Sequence, residues 1–97
     1  MTVAKLRDRL DIVKQDIIDT IHSRLSEGDK IEFEDLYLGE KSSLLNGYPQ
    51  VYSIQKGKNE TITVNTEDDW GANEKRGLED YSITELLTLL EYIEEAL

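Results

Sequence analysis

Cysteine is absent from this 97-residue chain, and proline, tryptophan, phenylalanine and histidine occur once each. Without cysteine there are no disulfides, no thiolate metal sites and no cysteine nucleophile. That absence fits a reducing compartment, and the expected location is cytoplasmic. No long apolar run occurs either: Lys5, Arg7, Asp8, Arg9, Asp11 and Lys14 interrupt the N-terminal stretch, which therefore reads as neither signal peptide nor membrane span. Repeats, low-complexity tracts and linkers are missing too, so the expectation is a single domain over 1–97.

Basic charge is scarce and unevenly placed. The net charge is -10. Residues 1–30 carry six basic side chains (Lys5, Arg7, Arg9, Lys14, Arg24, Lys30) and six acidic ones (Asp8, Asp11, Asp16, Asp19, Glu27, Asp29), so the whole excess lies beyond them. A surface of this sign repels nucleic acid and anionic lipid, both of which are bound through cations. Direct nucleic-acid binding and membrane binding are accordingly not expected. Solubility alone accounts for charge of this size.

Two stretches have helical periodicity. Val3, Leu6, Leu10, Val13, Ile17, Ile18, Ile21 and Leu25 fall within an arc of about 140° when each residue advances 100°. A helix over Val3–Leu25 would be about 35 Å long, more than a domain of this size is wide, so its first turns are expected to project or to pair with a second copy. Gly28 is expected to stop it in the left-handed conformation after the last helical turn. Near the other end, Ser82 and Glu85 have the spacing of a capping box, with Tyr81 placed to staple onto Leu86. Ile83, Leu86, Leu87, Leu89, Leu90, Ile93, Ala96 and Leu97 then spread over about half the circumference, a stripe wide enough to need cover on two sides. Glu91, Glu94 and Glu95 oppose the dipole of this helix near its C-terminus, and no local feature explains them.

Between the helices, Lys30–Leu38 alternates as a strand and then loses parity at Asp35, which predicts a bulge near Glu34–Leu36. Gln50–Gln55 and Thr61–Thr66 read as an antiparallel hairpin around Lys56–Asn59, with Tyr52 and Ile54 on one face of its first strand and Ile62 and Val64 on one face of its second. Glu67–Tyr81 has no period and reads as an acidic loop. The expected fold is α+β: a long N-terminal helix, a three-stranded antiparallel meander, an acidic loop and a C-terminal helix packed on the sheet.

Residues of catalytic type form no constellation. His22 falls on the flank of the first helix with no ligand partner spaced for it, the serines lack a nucleophile-elbow context, and the glycines lack a phosphate-cradling spacing. No enzyme activity, cofactor or metal is expected, because the acidic run Glu67, Asp68, Asp69 lacks the alternating ligands of a calcium loop. Trp70 beside that run reads either as a cap on the core or as a partner-binding anchor, with Asp68, Asp69 and Glu67 as its neighbours. Val3, Leu6 and Leu10 are the candidate self-association residues. The expected function is a small intracellular, non-catalytic protein-interaction module that self-associates through its helices, most simply as a homodimer. Its protein partner, if different from itself, has no signature here. The alternative is an acidic decoy of nucleic acid that blocks a DNA- or RNA-binding protein, as phage inhibitors do, with the carboxylates of Glu32, Glu34, Asp68, Asp69, Glu91, Glu94 and Glu95 in rows. The order of elements resembles small bacterial and phage-borne proteins in style, without a motif that names a family.

Overall fold

The computed structural model describes residues 2–38, 50–67 and 73–97. Helix α1 spans Val3–Arg24, opened by Thr2, whose hydroxyl accepts from the Lys5 N–H at 3.3 Å. It closes at Leu25, which takes extended backbone. Gly28 therefore does not form the expected left-handed helix stop. It adopts φ +91° in the turn beyond, where its N–H donates to the Lys56 carbonyl at 2.7 Å.

A four-stranded antiparallel sheet follows in the order of the chain: β1 (Lys30–Tyr37), β2 (Gln50–Lys56), β3 (Ile62–Glu67) and β4 (Asn73–Arg76). The expected meander of three strands is thus corrected to four. The added strand, Asn-Glu-Lys-Arg, lies at the sheet edge and pairs with β3 by backbone, so no apolar alternation marks it in the sequence. The β1 bulge lies where parity breaks: register shifts between Glu32 and Leu36, and Asp35 takes φ 54°. A second bulge, between Val51 and Ser53, was not legible. It puts Val51, not Tyr52, with Ile54 among the most buried side chains. The β2–β3 turn is a 3-10 turn over Lys58–Glu60, with Asn59 and Glu60 both at positive φ.

Helix α2 (Ile83–Ala96) begins as the sequence predicts. The Ser82 hydroxyl accepts from the Glu85 N–H at 3.2 Å, and the Glu85 carboxylate accepts from the Ser82 N–H at 2.9 Å. Leu86, Leu89 and Ile93 are fully buried with Ile21, Leu36, Ile54 and Val64, so both helices lie on one sheet face. Phe33 and Tyr92 meet edge to face with ring centroids 6.3 Å apart, which ties α2 to β1. The α1 and α2 axes run in the same direction. Lys14 Nζ donates to the Glu79 carbonyl just ahead of α2, and Arg24 pairs with Glu94 in the last turn of α2. At about 1.5 Å per residue, α1 therefore overhangs the start of α2 by about 16 Å.

The buried side chain of Lys56 holds the end of α1 to the sheet. Its ammonium donates to the carbonyls of His22 and Leu25, both at 3.0 Å. Replacing it by the similarly shaped methionine takes the donor from the Leu25 carbonyl and leaves the His22 carbonyl with the Leu25 N–H at 3.3 Å. Lys56→Met is expected to cost about 1–3 kcal/mol in urea unfolding, with the denaturant slope unchanged.

Candidate functional site

Two concave sites and the outer end of α1 stand out on the described surface. The larger recess, about 200 Å³, is lined by Ile18 and His22 of α1, by Glu60, Thr61 and Ile62 at the start of β3, and by Gly77, Leu78 and Glu79. It places the half-buried His22 near two carboxylates, yet no group of three metal-ligating side chains occurs among the described residues. Leu78, inside the stretch expected to be an unstructured loop, is buried in the core. A 3-10 turn over Leu78–Asp80 puts it there.

The smaller cavity, about 40 Å³, lies between Leu38, Val51, Thr66, Arg76, Tyr81 and Glu85. The Thr66 hydroxyl donates to the Glu74 carbonyl, and Arg76 pairs with the Glu74 carboxylate at 3.1 Å. Tyr81 is buried, and its hydroxyl has no hydrogen-bond partner among the described residues. Burial first, opposed by the Arg76 charge and aided by Glu85, Glu74 and Asp80, pushes this phenol up to about 12. A space of this size takes a water molecule, which would satisfy the hydroxyl.

The third feature is the N-terminal part of α1. Every residue from Thr2 to Val13 is exposed. Val3 is 65%, Leu6 49%, Leu10 56% and Val13 45% accessible, and nothing described covers them. Burial begins one turn later, at Ile17 and Ile21. The exposed set recurs at alternating spacings of three and four, the seam of a coiled coil, and occupies an arc of about 80°. Arg7 and Lys14 border this stripe on one side and Arg9 on the other, while Asp8 and Asp11 lie further round. Thr2–Lys14 carries four cations and two anions.

These placements bring Val3, Leu6 and Leu10 together on one open face. Glu67 lies at the exposed end of β3, while Asp68, Asp69 and Trp70 fall outside the described residues. Of the carboxylates that a nucleic-acid mimic would align, those among the described residues lie on two elements, Glu32 and Glu34 on β1 and Glu91, Glu94 and Glu95 on α2, with Glu94 paired to Arg24, while Asp68 and Asp69 lie outside the described residues. No helix among the described residues is long and apolar enough to cross a membrane. On α2, Leu87 is also exposed, and the sequence marks it only as surplus apolar width of that helix.

Tyr81 generates a pH prediction. Its folded pKa lies above the unfolded value near 10, so folding favours the protonated phenol. That contribution is fully present below pH 10 and is lost as pH rises from about 10 to about 12. Tyr81→Phe, which removes the unpartnered hydroxyl, is expected to flatten the alkaline fall in thermal stability relative to the parent without lowering stability at pH 7 by more than about 0.5 kcal/mol. Melts across pH 7–11.5 check it. No protein-family model matches the chain, and no match was found among curated proteins or solved structures.

Proposed function

We propose that the chain is a small, non-catalytic interaction module that associates with copies of itself through its helices. The exposed aliphatic stripe Val3, Leu6, Leu10 and Val13 carries this reading. A helix whose outer end were only a solvated extension would have no need of apolar residues at seam spacing there, since leaving large aliphatic side chains in water forfeits about 1.5–3 kcal/mol each relative to burial. In the other half of α1 the same periodicity is buried against the sheet and α2, at Ile17 and Ile21. One helix thus serves two interfaces, an internal one and an external one.

The charge distribution supports the same reading. The overhang is the cationic part of a chain whose net charge is -10, so it is attracted to the rest of any other copy. A stripe of three helical turns covers less area than the roughly 800 Å² per partner of a standard stable complex, so association is expected to be weak, at about 100 μM and above. Sedimentation equilibrium over roughly 10 μM to 1 mM is expected to show mass rising with concentration. Leu6→Asp with Leu10→Asp is expected to weaken association by more than about 100-fold, some 2.7 kcal/mol, while the melting temperature of the monomer is retained. Mass that stays monomeric for the parent protein throughout this range overturns the reading.

A further inference from the structure

The two helices lie side by side with the same polarity, so their dipoles add and the molecule has a positive helical end and a negative one. Local sequence leaves both ends uncompensated. The first turn of α1 contains no acidic residue, and the last turn of α2 contains no basic one. The α2 end instead carries Glu91, Glu94 and Glu95, which aggravate its dipole. Glu91 and Glu95 enter no ion pair among the described residues, and both are exposed.

The same helix has an incompletely covered apolar edge. Leu87 is 45% accessible, and the half-buried Ile83 and Leu90 stand one turn to either side of it. Glu91 and Glu94, four and seven residues after Leu87, share that side of the helix. This edge is the electrostatic counterpart of the α1 overhang: aliphatic with flanking carboxylates where the other is aliphatic with flanking Arg7 and Arg9.

Pairing of the α1 stripe with its own copy is electrostatically poor in either direction. A parallel seam sets Arg9 against Lys14 of the second copy. An antiparallel seam that overlays the two overhangs sets Arg7 against Arg7 and Arg9 against Arg9. An antiparallel contact of α1 with α2 of another copy removes this repulsion. It also places the positive end of the α1 dipole beside the negative end of the α2 dipole.

We propose that self-association is head to tail: the stripe Val3, Leu6, Leu10 and Val13 of one copy docks antiparallel on the Ile83, Leu87 and Leu90 edge of α2 in another, with Arg7 against Glu91. The inference rests on the self-association reading above and specifies which surface receives the stripe. Because the contact joins unlike surfaces, it closes as a dimer only where two copies make it reciprocally, and otherwise extends.

Mixing two variants tests it. Leu6→Asp disables the stripe and leaves the α2 edge intact, whereas Leu87→Asp does the reverse. Each is expected to be monomeric alone, and an equimolar mixture is expected to form a one-to-one heterodimer by sedimentation velocity. Circular dichroism melts establish that both variants are folded, and Glu91→Arg serves as a second receptor variant at an exposed position. Arg7→Glu and Glu91→Arg are each expected to weaken association about tenfold, and their mixture to regain it. Raising salt from about 50 to 500 mM is expected to weaken the parent assembly several-fold. A Leu87→Asp protein that still associates like the parent, or a mixture that stays monomeric, overturns the head-to-tail contact while leaving self-association standing. A parent protein that is monomeric at every concentration removes both.

Discussion

Lys56 determines where the first helix ends and which way it points. Its backbone accepts from the Gly28 N–H and donates to the Asp29 carbonyl, closing the turn between α1 and β1 onto the end of β2. Its ammonium donates to the carbonyl of Leu25, the residue that caps α1, and to that of His22, which also accepts from the Leu25 N–H. A buried cation is costly unless its hydrogen bonds are made, and here the acceptors are the negative pole of a helix. One residue therefore fastens three elements at the base of the molecule, and α1 leaves that fixed point with its other end free.

From this anchor follows the polarity of the helical layer. With α1 held at its C-terminus beside β2, and α2 placed by its capping box and by Phe33 against Tyr92, the two helices come to lie parallel. Antiparallel neighbours would cancel much of their dipoles; parallel ones do not. Lys14 and Arg24 bridge the pair at two levels and fix its register. The difference in length, 22 residues against 14, then appears wholly at the positive end. The charge partition along the chain takes on meaning in this frame, since the neutral first third contains a cationic tip and the acidic remainder contains the opposite pole.

Much of this was legible in the residues because periodicity and capping are local. Both helices, the Ser82 and Glu85 cap, and the bulge at Asp35 follow from spacing alone. What escaped depends on partners distant in sequence. Asn73–Arg76 is a strand because β3 offers it a hydrogen-bonding edge, and its charged side chains suit an exposed edge that resists further pairing. Leu78 looks like a lone apolar residue in a loop until a short helical turn delivers it to the core. Val51 and Tyr52 exchange faces because of a bulge with no glycine to announce it. Lys56 reads as an ordinary turn lysine, and only the fold brings the end of α1 within its reach. For the candidate surface, Val3, Leu6 and Leu10 stand out by period, whereas the acidic end of α2 stands out only as a set of charges with no local reason.

The overhang does not need a partner to be helical, and this bears on how it would bind. Helix nucleation is the expensive step, and in α1 it is supplied by the docked half around Ile17 and Ile21, so the outer turns only propagate. Their composition favours that: alanine, leucine, lysine and arginine are good helix formers, and Thr2 caps the end. A stripe held in its binding shape loses little backbone entropy on docking, leaving mainly side-chain ordering and rigid-body entropy against a small apolar contact. In the proposed association the extent of apolar area, not the cost of folding on binding, would then limit affinity, and charge complementarity would decide which of several weak contacts is populated.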